Sequence, residues 1–285
     1  MFKQLRLLPS FIVALLFWCF SVQSQPTSPE VSIQLWSVKD DLKADFAGTL
    51  NALAKMGFQG VEFAGEFGPY KDNPHGLKSL LDKLGLKASG AHVGFDTLAP
   101  DKLAATLLFY KTLGIQFVIV PWDERAWHPT GVMALTKQLS ELAPQLQKYG
   151  MQLGFHNHDK EFAPFQNATY WDYIASNTPS AVLLQLDMGW VLFASQDPLT
   201  YINRYPHRTP TTHLKIRTVE GVIASPILGE NHLPWHHYIQ AVVNQGGAQW
   251  LVLEQEEYPT GLTQLQSVAR SKQNLDTILS GLAKP

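Results

Sequence analysis

Eight short apolar runs, each followed by a longer amphipathic stretch, restrict what this chain can fold into more than any other feature of its sequence. The runs are Val31–Trp36, Gly60–Phe63, Lys87–Val93, Phe117–Pro121, Gln152–His156, Val182–Asp187, Thr211–Ile216 and Trp250–Glu254. Helix-like segments lie between them at Asp45–Met56, His75–Leu84, Asp101–Leu113, Thr130–Tyr149, Tyr170–Asn177, Pro198–Tyr205, Trp235–Gln245 and Thr263–Leu282. Runs this brief, rich in Val, Ile, Leu and Phe, have the length of strands. Strands buried on both faces read as continuous apolar runs, and parallel neighbours need a helical crossover. Several helix-like segments end in a glycine followed by an apolar residue, as in Met56-Gly57-Phe58, Leu84-Gly85-Leu86, Leu113-Gly114-Ile115 and Tyr149-Gly150-Met151. That pattern stops a helix and starts the next strand. Eight such units, with no polar linker dividing them, match the size of a single-domain α/β protein of the (β/α)8 TIM barrel type. Counting elements does not show closure, so a doubly wound open sheet is the alternative.

The first residues read differently. Lys3 and Arg6 precede an apolar run, Phe11–Phe20, and Val22 and Ser24 suit signal-peptidase cleavage after Ser24. Residues 1–24 are therefore expected to be a signal peptide, residues 25–30 a linker, and residues 31–285 the barrel. The run is too short to span a bilayer, so an exported periplasmic or secreted protein with no stable membrane anchor is expected. The only cysteine, Cys19, lies inside that segment behind the bulky Phe17-Trp18, which makes a lipoprotein the weaker reading. Without Lys3 and Arg6 the 22 basic residues become 20 against 24 acidic ones, a formal charge of −4. A nucleic-acid partner would call for a basic face instead.

In a barrel of this kind the chemistry is built at the carboxyl ends of the strands. Polar residues collect there run after run: Glu62, His92, Trp122-Asp123, His156-Asn157-His158, Asp187, His213 and Lys215, and Glu254. A lone histidine at the end of an apolar run is ordinarily a hydrogen-bonded structural residue, and an Asp or Glu there is often a helix cap. Repetition at one level of the fold is what argues for a site. Asp187, His213 and Glu254 end three successive runs and can converge. Two carboxylates and an imidazole suit a divalent cation, Mn²⁺, Mg²⁺, Co²⁺ or Zn²⁺. His156 and His158 share one parity, so both can face inward. His156 is assigned to the metal, and His158 is kept as an acid/base candidate.

These pieces resemble the sugar phosphate isomerase/epimerase group, the xylose isomerase-like TIM barrel family. The resemblance runs from "SIQLWSVKDDL" and "LAKMGFQGVEFAG" through "LGLKASGAHVGFDTL" to "LGFHNHDKEF", "LLQLDMGWVLFASQDPLTYINRYPHRTPTTHLK" and "WLVLEQEEY". The HNHD-x-EF element, followed by D-x-G-W and H-x-K, is its specific part. The resemblance implies Asp187, His213 and Glu254 as metal ligands. Many members carry a glutamate on the fifth strand where this chain has His156, and Glu161 is the candidate for the second acid/base. The subgroup usually reads H-x-K-D after the seventh strand, whereas here Lys215 is followed by Ile216-Arg217.

The expected activity is metal-assisted isomerisation or epimerisation of a sugar or keto-sugar, by removal of the proton next to a carbonyl through an enediolate. Glu254 is the expected base, and Lys215 and His92 would donate hydrogen bonds to the oxyanion. Trp36, Trp122 and Trp190 would offer flat faces to the sugar, with Glu62 reading its hydroxyls. The alternatives are a lyase or hydratase acting on 3-keto-glycosides, and a noncatalytic carbohydrate-binding barrel. Cleavage of DNA at abasic sites is a third, opposed by the export signal and the charge. Gly221–Trp235, long and bearing Pro and Gly, is expected to be a lid.

Overall fold

A computed structural model of the chain describes residues 28–282. The expected signal peptide and the first part of the linker lie outside the described residues. Eight parallel strands close into a barrel: β1 (Glu30–Gln34), β2 (Gly60–Phe63), β3 (Lys87–His92), β4 (Phe117–Val120), β5 (Gln152–His156), β6 (Leu183–Asp187), β7 (Thr211–Lys215) and β8 (Trp250–Glu254). Each pairs with its neighbour in sequence, and β1 closes on β8 in the register Glu30↔Trp250 to Ile33↔Leu253. Closure decides against the open sheet. β1 takes in Glu30, one residue before the expected start, and its backbone N–H donates to the Gln249 carbonyl at 2.9 Å.

The helices follow the expected order, and local chemistry sets their ends. Asp45 caps the helix Phe46–Lys55 by accepting the Gly48 N–H, and Asn73 does the same for Pro74–Leu84. Gly85 and Gly114 close their helices at φ of 70° and 82°, a left-handed conformation that costs a glycine little. Thr169 and Asp172 form a reciprocal capping box on Tyr170–Ser176. Two short helices were not foreseen. Lys39–Ala44 follows β1, and Met188–Phe193 starts directly on the last residue of β6. Among the described residues no helix is long and apolar enough to cross a membrane.

Most apolar side chains pack between the strands and the helical ring. Inside the barrel, Phe117, Ile119 and Leu183, with Trp250 against them, form a separate apolar floor. Two glycines admit it: a Cβ on Gly154 would sit 2.3 Å from Leu183, and one on Gly60 would sit 2.7 Å from Trp250. Alternation along each strand then turns the residues two and four positions further on toward the carboxyl mouth. In β6 the series is Leu183, Gln185, Asp187; in β7, Thr211, His213, Lys215; in β8, Trp250, Val252, Glu254. The fold thus moves from an oily floor to a polar ceiling.

Candidate metal and sugar site

The polar ceiling is buried and closely interconnected. Asp187 and His213 are fully buried, His156 is 2 % exposed and Glu254 6 %. One ligand atom from each of the four lies within 4.8 Å of the others. The His213 Nδ1 is 2.8 Å from Glu254 Oε2 and 3.7 Å from Asp187 Oδ2, and His156 Nε2 is 3.9 Å from that same Asp187 oxygen. Four residues spread over about a hundred positions of sequence are therefore brought to one point.

Asp187 supplies the observation that tests whether a cation fits. Its Oδ1 accepts the Trp190 N–H at 2.8 Å, capping the helix Met188–Phe193. Its Oδ2 is buried without a hydrogen-bond partner, with Lys215 Nζ and His213 Nδ1 both standing off at 3.7 Å. A buried carboxylate oxygen left bare is costly unless a cation or a donor faces it. With two imidazoles and a second carboxylate around it, the donor set suits a divalent transition ion or Mg²⁺.

Beneath this group sits a polar network that orients it. Glu62 accepts from His213 Nε2 at 2.6 Å, from Gln34 Nε2 at 2.8 Å and from Gln185 Nε2 at 2.7 Å. Gln185 Oε1 in turn meets His92 Nε2 at 2.7 Å and His156 Nδ1 at 3.1 Å. The His213 ring stacks on His92, 5.3 Å between centroids and 13° from parallel. With Nε2 fixed on Glu62, Nδ1 is the nitrogen that His213 presents to the cluster, the usual way a carboxylate orients a metal-binding imidazole. Glu62 is fully buried with both oxygens engaged, so it supports His213 from below and does not face the sugar as expected.

Charge in the group follows from these contacts. Burial alone would push the His213 imidazole down, but Glu62 and Glu254 outweigh it and hold it well above its usual value. Burial would raise Glu254, yet Lys215 and His213 keep it well below the ordinary carboxylate range. His156 is pushed well below the imidazole range by burial and then by His213 and His92. Burial also disfavours the Lys215 ammonium, but Glu254, Asp187 and Glu256 more than restore it.

Above the cluster opens a cleft of about 350 Å³, lined by His92, His156, His158, Lys215, Glu254 and Glu256, with Trp36 and Trp122 at its rim. The two tryptophans are 45 % and 46 % exposed, as rim residues should be. Trp190 is placed differently. It lies behind the cleft, with Lys215 Nζ 4.8 Å and the Arg217 guanidinium 4.4 Å over its ring and His158 packed against it. His158 lines the cleft, but burial, and then Lys215, push it down to about 3. It is a neutral hydrogen-bonding group at physiological pH.

The HNHD-x-EF element resolves into separate jobs. His156 points into the cluster. Asn157 bridges the ends of β5 and β6, its Oδ1 accepting the Asp187 N–H at 2.9 Å and its Nδ2 donating to the Asp187 carbonyl at 3.2 Å. Glu161 is fully buried and accepts the His158 N–H at 3.0 Å, while Phe162 packs on Trp171 and Tyr201. Glu161 is absent from the cleft lining. The expected second acid/base is thus a buried group under the His158 turn, not a wall of the cleft.

Two further corrections concern β7. The acid missing after Lys215 is supplied by the next strand: Glu256 Oε2, just past β8, lies 2.9 Å from Lys215 Nζ and 3.4 Å from Arg217, and Arg217 also meets Glu257 at 3.0 Å. Gly221–Trp235 is not over the cleft. It is fastened to the helix Gln264–Leu282, where Ser271 Oγ accepts the Leu228 N–H at 3.2 Å and Asn274 donates to the Leu228 carbonyl at 2.8 Å. Sequence reasoning missed Gln34, Gln185 and Glu256, although the signal was present. Gln185 and Glu256 stand two residues from Asp187 and Glu254, on the same parity.

Comparison with known proteins agrees with this picture. The xylose isomerase-like TIM barrel model matches residues 50–278. Inosose dehydratase of Lacticaseibacillus casei is 22 % identical over 277 residues, covering 82 % of this chain and 90 % of its own. The rhizopine catabolism protein MocC of Rhizobium meliloti is 23 % identical over 269 residues, 79 % of each chain. A crystal structure of a sugar phosphate isomerase/epimerase from Parabacteroides distasonis ATCC 8503 superposes with a TM-score of 0.72 at 23 % identity, covering 93 % of this chain and 98 % of that one.

Proposed function

The chain belongs to the xylose isomerase-like TIM barrel family, and from that premise we propose that it is a divalent-metal-dependent enzyme that removes the proton next to the carbonyl of a sugar or keto-sugar. The observation that carries the proposal is the buried Oδ2 of Asp187, which makes no hydrogen bond, among His156, His213 and Glu254. A divalent ion held by those four residues would polarise a substrate carbonyl oxygen. Glu254 is the base: it is ionised, it borders the cleft, and its hydrogen bonds all run to Oε2. The Lys215 ammonium, held charged by three carboxylates, stands ready to donate to the oxyanion that forms as the proton leaves. His92 and His158 read hydroxyls, and Trp36 and Trp122 cover the apolar face of the ring.

One proton-removing carboxylate suits two outcomes, return of the proton on the same face or loss of a substituent from the neighbouring carbon. Epimerisation needs a second group on the opposite face. Glu161 does not line the cleft, and Glu256, which does, stands two residues from Glu254 at the end of the same strand and is paired with Lys215 and Arg217. That arrangement favours the eliminating variant, a lyase or hydratase on 3-keto-glycosides, over epimerisation. A relative named inosose dehydratase points the same way. The same reading keeps the enzyme outside the cytoplasm, on the strength of residues 1–24.

The test is turnover of a 3-keto-glucoside and a panel of keto-sugars in deuterated water. The metal-loaded protein is expected to exchange deuterium beside the carbonyl and to release the aglycone. A chelator should abolish both, and Glu254→Gln should lower the rate by about 10²- to 10⁴-fold with the fold intact. Tight sugar binding with no exchange into any candidate would leave a noncatalytic binding barrel. Full turnover by Glu254→Gln would remove the base.

A further inference from the structure

Beside the cleft lies a second cavity of about 730 Å³, twice its size, at the carboxyl ends of β1 and β2. Leu35, Leu42, Phe46 and Pro69 form its apolar floor, and Lys39, Lys43, Asp45 and Glu66 stand around its rim. Two positive and two negative rim charges leave no net field for an ionic guest. The cavity adjoins the cleft, because Trp36 and Ala64 line both.

The partition between them is held in place. The Trp36 backbone N–H donates to Gln34 Oε1 at 3.2 Å, and Gln34 Nε2 donates to Glu62, so the backbone that carries the indole is tied to the network beneath the metal cluster. The Lys39 ammonium lies 3.9 Å over its ring. On the opposite wall Gly68, at φ 54°, leaves room for the Phe46 ring, which a Cβ there would approach to 2.4 Å. The cleft alone, near the lower end of ligand-pocket sizes, holds one sugar ring. Whatever that ring carries toward β1 and β2 passes over Trp36 into the larger, apolar space.

We infer that this cavity is the subsite for a neutral aromatic aglycone, and that the substrate is an aryl glycoside with its sugar in the cleft. Aromatic rings bury large apolar area and pack well on Trp and Phe, which is what this floor offers. The identity of the sugar rests on the proposed function, whereas the aglycone subsite rests on the cavity.

Binding without turnover separates the two. Calorimetric titration of the metal-loaded protein with 2-naphthyl and methyl β-D-glucopyranoside, neither a keto-sugar, is expected to show the naphthyl glycoside about tenfold tighter or more. Ala47→Trp and, independently, Ala44→Trp fill the second cavity alone from exposed positions. Each should abolish that preference and leave methyl glucoside affinity unchanged. Equal affinities, no measurable binding of either, or a preference that survives both substitutions would overturn the subsite. An intact preference with no turnover of any 3-keto-glycoside would sink the enzymatic reading and leave the subsite standing.

Discussion

Glu161 is the residue whose environment makes the most quantitative demand. It is fully buried, Oε2 is engaged by the His158 N–H, and Oε1 has no partner. Burial pushes its carboxyl up from the ordinary 4.5 to about 7. A carboxyl raised on folding favours the protonated folded state. The favourable contribution is therefore complete below about pH 4.5 and is lost as pH rises through about 7. At 1.36 kcal/mol per pH unit the swing is about 3 kcal/mol. Glu161→Gln retains an acceptor for the His158 N–H and removes the titration. Urea unfolding of both proteins, with chelator present, at pH 5, 7 and 9 isolates the effect, since packing differences are independent of pH. The variant should gain on the wild type by about 3 kcal/mol between pH 5 and pH 9. A stability difference that stays constant across that range would refute the idea that Glu161 is a buried, uncompensated carboxyl.

Three other outcomes follow from the same contacts. A Cβ on Gly90 would fall 2.9 Å from Glu62 Oε2, so Gly90→Ala should displace the carboxylate that orients His213. It should weaken metal binding by about 10- to 100-fold in calorimetry, with a normal circular dichroism spectrum. His213 is held protonated by Glu62 and Glu254, so a cation at Nδ1 must displace a proton and affinity should rise with pH. Titrations in buffers of different ionisation enthalpy should report proton release, and buffer-independent heats would refute it. Leu153→Ala, at a fully buried β5 position, should destabilise by about 2–5 kcal/mol in urea unfolding while leaving the metal site assembled.

The sequence alone determined the order of the eight strands and of the longer helices between them, because each is written in a local pattern, whereas the short helices Lys39–Ala44 and Met188–Phe193 were not foreseen. A short Val/Ile/Leu/Phe run bounded by glycine and alternating with helical stretches reads as a buried parallel strand, and Gly85 and Gly114 end their helices wherever those helices pack. It also marked the residues that converge at the mouth, since Asp187, His213 and Glu254 stand at or near the carboxyl ends of consecutive strands. Roles within the site were another matter. Glu62, Glu161 and Trp190 carry the same residue types as a sugar-binding wall, yet one supports His213, one braces a turn and one packs behind Lys215. The partner of Lys215 came from Glu256, just past the neighbouring strand, and the aglycone cavity lies between segments whose sequences show no sign of it. Periodicity records which way a backbone turns a side chain. Only the closed barrel decides which distant groups then share a charge, a proton or an empty space, because those depend on distances of a few ångströms between strands that never meet in sequence.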